Sequence, residues 1–318
     1  MQIVVLDGHA LNPGDLSWEG LAELGDLTVY ERTPQDKIKE RIAEAEIIFT
    51  NKTPLSEEIF RDCPQLKYVG VLATGYNVVD VESAREHDVV VTNVPGYGTT
   101  AVAQHTFALL LEMCNHVAEH NDAVKSGEWS QAPDFCFWNS PVTELVDKNI
   151  GIIGYGSIGQ KSGELAQAFG MNVLAYEPGL TEDDTPEGVE AVTLEELWAK
   201  ADVITLHCPL FDETREIINE ETISQMKDNV LIINTARGKL INEQDLAAAL
   251  NQGRVAGAAV DVLAEEPAQM DNPLLNAENT IVTPHIAWAA QESRQRLMDI
   301  AVNNLAEFLE DDPINIVN

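Results

Sequence analysis

The chain has 318 residues, about two domains in length, and its 45% hydrophobic content is enough for ordinary cores. No apolar run approaches the roughly 20 residues of a membrane span, and the N-terminal stretch lacks the basic and apolar segments of a secretory signal, so we expect a cytoplasmic protein. The 53 acidic and 19 basic residues give a formal net charge of −34, which argues against nucleic acid or an anionic membrane as a partner.

The acidic residues are spread along the chain and form no tail. Two interpretations are open: an acidic surface adapted to a salty cytosol, or surface acids that only keep the protein soluble. The first predicts that the melting temperature rises from low to molar KCl, because salt screens the repulsion between surface carboxylates. An unchanged melting temperature would favour the second.

Residues 1–98 alternate short apolar runs with amphipathic segments, a pattern typical of parallel α/β sheets. Since these strands precede the glycine-rich turn described below, they should form a sheet of their own. The predicted strands are Gln2–Leu6, Asp26–Tyr30, Glu46–Thr50, Lys67–Val71 and Asp88–Thr92. The predicted helices are Pro34–Ala45, Ser56–Cys63 and Val79–His87.

Two loops that follow predicted strands are candidates for a ligand site, because parallel sheets bind ligands at the carboxyl ends of their strands. Lys52 lies in the loop after the third strand, and Thr74 and Gly75 lie in the loop after the fourth. The Thr74-Gly75 turn can offer backbone N–H groups to a small carboxylate, although a plain turn would have the same sequence.

A hinge is predicted at residues 95–98, followed by a long apolar helix over Ala101–Glu119. The helix is hydrophobic on more than one side, so another domain or subunit should cover it, and His105 within it is interpreted as a satisfied core or interface histidine. Residues 121–148 are predicted to be irregular and to carry large aromatic residues that anchor a homodimer. These are Trp129, Phe135, Phe137 and Trp138.

Residues 116–120 match the HxxEH pattern of certain zinc peptidases. Nothing downstream supplies a matching acidic ligand helix, and a stronger nucleotide-binding motif competes for the same chain. The cysteines form no CxxC pair, so we expect buried free thiols in a reducing compartment and predict no metal site. They are Cys63, Cys114, Cys136 and Cys208.

The strongest motif begins at Asn149, where an apolar strand runs into Gly154-Tyr155-Gly156-Ser157-Ile158-Gly159 and then into a helical pattern. In a dinucleotide-binding turn, Gly154 would allow the sharp turn, Gly156 the close approach of a pyrophosphate, and Gly159 the packing of the helix on the sheet. The phosphates would then lie at a positive helix end. The glycine pattern alone is weak evidence, and its strand and helix context strengthens it.

A second strand, Asn172–Tyr176, ends at Glu177, the position at which a carboxylate accepts the ribose hydroxyls of NAD. The seven residues that follow contain no Lys or Arg to hold a 2′-phosphate and three further acids to repel one. The sequence therefore predicts NAD as the cofactor and NADH in preference to NADPH.

Four later strands complete a predicted doubly wound sheet of six, with helices near 194–200, 219–226 and 243–251. The last helix, Gln291–Leu309, has no strand after it and can lie on the N-terminal sheet. We therefore predict an α/β protein of two domains: residues 1–98 with 290–318 bind substrate, and residues 99–289 form the NAD-binding Rossmann domain, with a dimerisation helix and arm at about 101–148. The later strands are Asp202–Leu206, Asn229–Asn234, Val255–Asp261 and Thr280–Val282.

Three polar residues follow the last three strands at one edge of this sheet: Arg237, Glu266 and His285. Taken separately, Arg237 could be part of a surface ion pair, Glu266 a solvated loop acid, and His285 a core histidine. Their joint placement beside a nicotinamide site favours a catalytic set.

These motifs together resemble the D-isomer-specific 2-hydroxyacid dehydrogenase family over nearly the whole chain. The segments 72–77 and 93–106 are most similar to its glycerate dehydrogenase or hydroxypyruvate reductase branch. The resemblance rests on Gly154–Gly159, Leu206–Leu210, Asn234–Gly238, Asp261–Pro267 and Pro284–Trp288.

The resemblance implies a flavodoxin-like substrate domain, a Rossmann domain and a homodimer. It assigns Arg237, Glu266 and His285 as catalytic. Of the two adjacent acids, Glu266 matches the family's catalytic position because it directly precedes Pro267, and Glu265 is the neighbour with which it could be confused. It implies that Arg237 binds substrate and that Trp288 shapes the pocket and favours short substrates, while Lys52, Thr74 and Gly75 are predicted to contact substrate from their positions in the two loops. The cofactor contacts it implies are Thr100, Gly154, Gly156, Ser157, Ile158, Gly159, Glu177, Cys208, Pro209, Thr235, Ala236, Asp261 and His285.

The chemistry of 2-keto acid reduction agrees with this set. The carbonyl oxygen gains negative charge as hydride arrives, so His285 can supply a proton and Arg237 can bridge carboxylate and carbonyl with its planar fork. Glu266 should orient the imidazole and favour its protonated form. We expect hydroxypyruvate or glyoxylate as substrate. D-lactate-type dehydrogenases, 3-phosphoglycerate dehydrogenases and non-catalytic NAD-sensing corepressor-like modules are the alternatives.

Overall fold

The computed structural model describes all 318 residues. It divides into two compact units, Met1–Gly98 with Trp288–Asn318, and Thr99–Ala287. None of the helices combines the length and the hydropathy that crossing a bilayer requires. The strands are β1 (Gln2–Val5), β2 (Asp26–Val29), β3 (Ile47–Thr50), β4 (Tyr68–Val71), β5 (Val90–Thr92), β6 (Asn149–Ile153), β7 (Asn172–Tyr176), β8 (Val189–Ala191), β9 (Val203–Leu206), β10 (Val230–Asn234), β11 (Val255–Val260) and β12 (Thr280–Val282). The α-helices are α1 (Glu19–Ala22), α2 (Ile38–Ile42), α3 (Glu57–Asp62), α4 (Val81–Glu86), α5 (Thr99–Asn115), α6 (Val117–Lys125), α7 (Glu128–Gln131), α8 (Ser157–Ala168), α9 (Leu194–Lys200), α10 (Glu220–Gln225), α11 (Glu243–Asn251) and α12 (Gln291–Leu309).

The first unit is built on a five-stranded parallel sheet with the order β2-β1-β3-β4-β5, the flavodoxin-like order. Successive residues of each strand point to opposite faces, and both faces are apolar, so helices cover both. One face buries Val4, Ile48 and Val69. The other buries Ile3 and Phe49 together with one side of α12. The C-terminal helix therefore completes the core of the N-terminal sheet.

The second unit is a seven-stranded parallel sheet with the order β12-β11-β10-β9-β6-β7-β8. The strand order reverses between β6 and β9, which is the topological switch point of a doubly wound fold. The predicted two-sheet α/β architecture is confirmed. The predicted count of six strands is wrong by one, because β8 was missed. That strand has only three residues, too few to show a periodic pattern in the sequence.

The long helix predicted over residues 101–119 is two helices. The chain leaves α5 at His116, whose backbone φ of 49° is left-handed, and α6 begins at Val117. A left-handed residue interrupts the regular helical hydrogen bonding and changes the helix direction. The segment 121–148 is correspondingly less irregular than predicted, since α6 extends to Lys125 and α7 follows it.

Candidate active site

The glycine-rich turn connects β6 to α8, and two of its glycines leave no room for a side chain. Gly154 has a φ of 94°, and a Cβ there would lie 2.3 Å from the backbone nitrogen of Cys208. A Cβ on Gly159 would lie 2.2 Å from the carbonyl oxygen of Gly154. The turn is therefore packed against itself and against the loop after β9.

Gly156 differs from both, because a Cβ there would meet nothing within 4 Å. It is exposed, and it precedes α8 without a side chain that caps the first N–H groups of the helix. Ser157 and Ile158 form the first turn of that helix. Open space in front of uncapped helix N–H groups fits a bound pyrophosphate.

Glu177 directly follows β7 and lies beside this turn. Its Oε2 accepts a hydrogen bond of 2.8 Å from the backbone N–H of Tyr155. Cys208, in the loop after β9, is buried, and burial together with the nearby Glu177 charge raises the pKa of its thiol to about 11. The Cys208 thiol is therefore neutral and unreactive beside the glycine turn. Pro209 beside it is exposed, as is Thr100 in the first turn of α5.

His207 is held in the same loop by a contact of 3.1 Å between its Nε2 and Thr205 Oγ1. Burial lowers its pKa to about 4. The folded state thus binds this proton less readily than the unfolded chain, whose histidine pKa is about 6.5. Stability contributed by the neutral ring is present above pH 6.5 and is lost as the pH falls towards 4.

We therefore expect the His207→Gln variant to lose less stability on acidification than the wild type. The wild-type free energy of unfolding should fall by at most about 3 kcal/mol from this group between neutral pH and pH 4. Urea unfolding at a series of pH values measures the difference. Parallel pH dependences in the two proteins would show that His207 does not carry this proton linkage.

Arg237 lies in a turn that follows β10 and is fixed from inside the sheet by Asn234. The buried Asn234 side chain accepts from the N–H of Ala236 at 3.0 Å and donates to the carbonyl of Arg237 at 2.9 Å. The Arg237 guanidinium is exposed and donates to the Ala236 carbonyl at 2.8 Å. Gly238 follows, and a Cβ there would lie 1.9 Å from the carbonyl carbon of Leu263, so the turn packs directly on the loop after β11.

Glu266 and His285 form a direct pair. His285 Nδ1 lies 2.7 Å from Glu266 Oε2, and both side chains are about one-third exposed. Glu266 Oε1 accepts from the N–H of Leu263 at 3.1 Å, which fixes the carboxylate. The adjacent Glu265 instead accepts from Gln269 Nε2 at 3.1 Å. Of the two neighbouring acids, Glu266 is the one that contacts the imidazole.

Asp261, at the end of β11, is buried with its carboxylate turned inward. Oδ1 accepts from Thr283 Oγ1 at 2.6 Å and from the Ile286 N–H at 2.8 Å, and Oδ2 accepts from the Ala287 N–H at 2.8 Å. Burial opposes ionisation, but the nearby His105 ring and the hydrogen bonds from Thr283 and the two N–H groups outweigh it and lower the pKa of Asp261. The residue is a fixed anion that holds the turn carrying His285.

The carboxyl ends of β10, β11 and β12 are neighbours in the sheet, so Arg237, Glu266 and His285 lie on one edge. Thr235 is buried, and its hydroxyl contacts Thr106 Oγ1 at 3.1 Å. Ala236 is partly exposed. The structure thus gathers the cofactor and catalytic residues predicted in the second unit at the carboxyl ends of its strands.

The predicted substrate residues of the first unit lie in its own loops. Lys52 follows β3 and is exposed, and Thr74 Oγ1 donates to the Val94 carbonyl at 2.8 Å, with Gly75 beside it. Trp288 packs edge-on against Tyr97, with 6.4 Å between ring centroids.

Sequence reasoning missed Asp7, which organises one of these loops. The Asp7 carboxylate accepts hydrogen bonds of 2.6–2.8 Å from the N–H groups of Asn51, Lys52 and Thr53. Asn51 Nδ2 in turn donates to the Leu72 carbonyl at 2.7 Å, which joins the two candidate loops. An acid directly after the first strand is a weak signal on its own, because many turns begin with Asp.

The structure contains no group of three or more His, Cys, Asp or Glu side chains that could hold a metal ion. In the HxxEH segment, His116 Nδ1 lies 3.8 Å from a Glu119 oxygen, and His120 Nδ1 bonds to the His116 carbonyl at 2.7 Å. The backbone N–H of Asn139 donates to His120 Nε2 at 3.2 Å, so both nitrogens of that ring have protein partners.

Comparisons with known proteins agree with this geometry. The family model for the NAD-binding domain of D-isomer specific 2-hydroxyacid dehydrogenases matches residues 107–287. A hydroxypyruvate reductase of Blautia hydrogenotrophica is 56% identical over 100% of both chains. The chain belongs to the D-isomer-specific 2-hydroxyacid dehydrogenase family. The resemblance drawn from the motifs is therefore confirmed.

Two further relatives of this dehydrogenase extend the comparison. A glycerate dehydrogenase of Methylorubrum extorquens is 37% identical, with 91% of this chain and 90% of the relative aligned. The structure of a D-lactate dehydrogenase from Aquifex aeolicus, complexed with NAD and lactic acid, matches with a TM-score of 0.82 and 31% identity over 100% of this chain and 99% of the other. This dehydrogenase is an oxidoreductase that uses a nicotinamide cofactor and acts on small 2-hydroxy or 2-keto acids.

The glycine turn of this dehydrogenase provides a direct test of cofactor binding. A methyl group on Gly156 meets no protein atom, and its φ of −74° suits any residue, so Gly156→Ala should keep its stability within about 0.5 kcal/mol of the wild type. The methyl would still obstruct a pyrophosphate, and the NADH Kd should rise at least about tenfold. Fluorescence titration and thermal unfolding measure the two effects.

Gly154→Ala is the matched comparison, because its Cβ meets backbone rather than open space. It should lose stability, as steric overlap and a left-handed backbone both oppose it. Unchanged NADH affinity in Gly156→Ala would show that the pyrophosphate does not bind at this turn.

Proposed function

We propose that this dehydrogenase reduces hydroxypyruvate or glyoxylate to D-glycerate or glycolate with NADH, through Arg237, Glu266 and His285. The assignment of these roles rests on the 2.7 Å contact between His285 Nδ1 and Glu266 Oε2, at the carboxyl-terminal edge of the seven-stranded sheet. The substrate assignment is supported by the 56% identity to a hydroxypyruvate reductase over the full length of both chains.

His285 is the proton donor in this proposal. Its Nδ1 contacts Glu266, and we assign Nε2 as the nitrogen that donates to the substrate carbonyl oxygen. The carboxylate stabilises the imidazolium and fixes the ring, and in the oxidative direction the same ring accepts the proton. The nicotinamide, when bound, supplies the hydride.

Arg237 binds the substrate carboxylate. Its guanidinium is exposed at the sheet edge, while its backbone is fixed by Asn234 and by the packing of Gly238 on Leu263. A planar fork of donors on a fixed backbone can bind a carboxylate in two-point fashion and polarise the adjacent carbonyl. We further propose that Lys52, Thr74, Gly75 and Trp288, which belong to the first unit, contribute to substrate binding.

The cofactor lies along the glycine turn, with its pyrophosphate at Gly156, Ser157 and Ile158 and its ribose hydroxyls on Glu177. The remaining contacts come from Thr100, Cys208, Pro209, Ala236 and the Thr235 and Asp261 backbones. We propose NADH in preference to NADPH, because Glu177 and the following acids would repel a 2′-phosphate. A higher kcat/KM with NADPH would contradict this choice.

We also propose a homodimer formed through α5 and the arm after it. Phe135, Trp138 and Trp129 are 88%, 68% and 52% exposed, a concentration of large apolar side chains that a monomer would leave in water. Analytical ultracentrifugation should give twice the chain mass of 34.9 kDa.

The substrate is tested by following NADH oxidation with hydroxypyruvate, glyoxylate, pyruvate, phenylpyruvate and 3-phosphohydroxypyruvate. We expect the highest kcat/KM with hydroxypyruvate and the next highest with glyoxylate. A preference for pyruvate would favour the D-lactate alternative, and one for 3-phosphohydroxypyruvate the phosphoglycerate alternative. No turnover with any of them would favour an NAD-sensing binding module.

A further inference from the structure

Two adjacent residues of α5, His105 and Thr106, contact residues at the beginning of the two proposed catalytic turns. His105 Nε2 lies 3.2 Å from Thr283 Oγ1, two residues before His285. Thr106 Oγ1 lies 3.1 Å from Thr235 Oγ1, two residues before Arg237. One helix therefore contacts both turns through neighbouring side chains.

The hydrogen-bond directions on the His105 side follow from the donor count. The Thr283 hydroxyl has one proton, and it lies 2.6 Å from the Asp261 carboxylate, which can only accept. The hydroxyl therefore donates to Asp261 and accepts from the Nε2–H of His105. His105 Nε2 is also 3.6 Å from Asp261 Oδ1, and its side chain is 20% exposed. The result is a chain from His105 through Thr283 to Asp261.

Asp261 transmits this contact to the His285 turn. Its carboxylate accepts from the N–H groups of Ile286 and Ala287, and its carbonyl accepts from the His285 N–H at 2.8 Å. His285 has a left-handed φ of 55°. A non-glycine residue keeps such a conformation only when its surroundings hold it there.

The Thr106 side has the same form. Thr106 is fully buried and donates to the Val102 carbonyl at 2.9 Å, so its hydroxyl accepts from Thr235. Thr235 lies within the turn whose ends are joined by Asn234. Removing the Thr106 hydroxyl would leave a buried donor on Thr235 without this partner.

We propose that His105 and Thr106 are positioning residues, of which His105 sets the His285 turn through Thr283 and Asp261, and Thr106 sets the Arg237 turn through Thr235. The proposal rests on the proposed roles of His285 and Arg237. It assigns different kinetic effects to neighbouring residues: His105 governs proton transfer, and Thr106 governs binding of the substrate carboxylate.

The His105 half is tested with a matched pair of amides. The Gln side chain places an N–H donor where His105 has Nε2, whereas the Asn side chain is too short for its N–H donor to reach Thr283. We expect His105→Asn to lower kcat for keto acid reduction by about 10- to 100-fold, the scale of a misplaced catalytic group, with little change in KM. His105→Gln should stay near the wild type in both.

The Thr106 half is tested with Thr106→Val and Thr106→Ser. Val keeps the shape and removes the hydroxyl, so KM for the keto acid should rise about tenfold with a smaller change in kcat. Ser keeps the hydroxyl and should restore KM. The NADH Kd should stay within a few-fold of the wild type in all four variants, because the glycine turn proposed to bind the pyrophosphate is unchanged.

Glu221→Gln, at an exposed position of α10, serves as control and should leave every parameter unchanged. Wild-type kcat in His105→Asn, or an equal loss of kcat in the Asn and Gln variants with intact thermal unfolding, would overturn the His105 role. Wild-type KM in Thr106→Val would overturn the Thr106 role. His285→Ala is measured in the same series to distinguish failure of the positioning roles from failure of the proposed function. Near-normal turnover in His285→Ala would reject the proposed function itself.

Discussion

Replacement of His285 by alanine is expected to lower kcat for keto acid reduction by about 10²- to 10⁴-fold, the range of general acid–base catalysis. The variant removes the group proposed to protonate the developing alkoxide and leaves the glycine turn intact. NADH should therefore bind with an affinity near that of the wild type. Stopped-flow or steady-state NADH oxidation with hydroxypyruvate measures kcat, and NADH fluorescence measures binding.

His285→Asn is the control for the backbone. Asn tolerates the left-handed φ of 55° at this position, so a similar loss in both variants traces the effect to the missing imidazole. Turnover within a few-fold of the wild type in either variant would remove His285 from the mechanism.

Glu266→Gln is expected to reduce kcat by about 10²-fold or more, by analogy with other carboxylates that orient a catalytic imidazole. The substitution keeps the size of the side chain 2.7 Å from His285 Nδ1 and removes its charge. Loss of that charge removes the anion that orients the ring and balances its positive charge, so kcat should fall throughout the pH range in which the wild type is active. The kcat profile from pH 5 to 9 provides the measurement.

Glu265→Gln is a matched control one residue away, because Glu265 contacts Gln269 and the imidazole contacts Glu266. It should leave kcat and its pH profile unchanged. If Glu265→Gln changes the kcat profile between pH 5 and 9 and Glu266→Gln does not, the roles of the two acids are reversed.

Local sequence patterns predicted most of the secondary structure because they describe short-range backbone geometry. The run from Asn149 to Glu177 encodes strand, turn, helix and strand within 29 consecutive residues, and the structure has each of them. The C-terminal helix was predicted with its observed bounds, Gln291–Leu309. The strand β8 and the interruption at His116 were missed, because three residues give no periodicity and one histidine within an apolar helical pattern does not mark a break.

The candidate site divides in the same way. Motif matching selected Glu266 over Glu265 through its position before Pro267, and the geometry agrees, since the His285 contact belongs to Glu266. The same matching named Asp261 only as a cofactor contact. The structure adds that its carboxylate faces inward and holds the His285 turn, which no linear pattern specifies.

The sequence by itself determined the family, the glycine turn, and which side chains stand at the ends of the last strands. These features depend on residues close in the chain, where backbone sterics and hydrophobic periodicity act. Only the tertiary structure decided that Asp7 holds the Asn51 loop and that His105 and Thr106 contact the two proposed catalytic turns. The latter contacts join residues 178 and 129 positions apart, and such pairs are selected by the packing of α5 on the sheet.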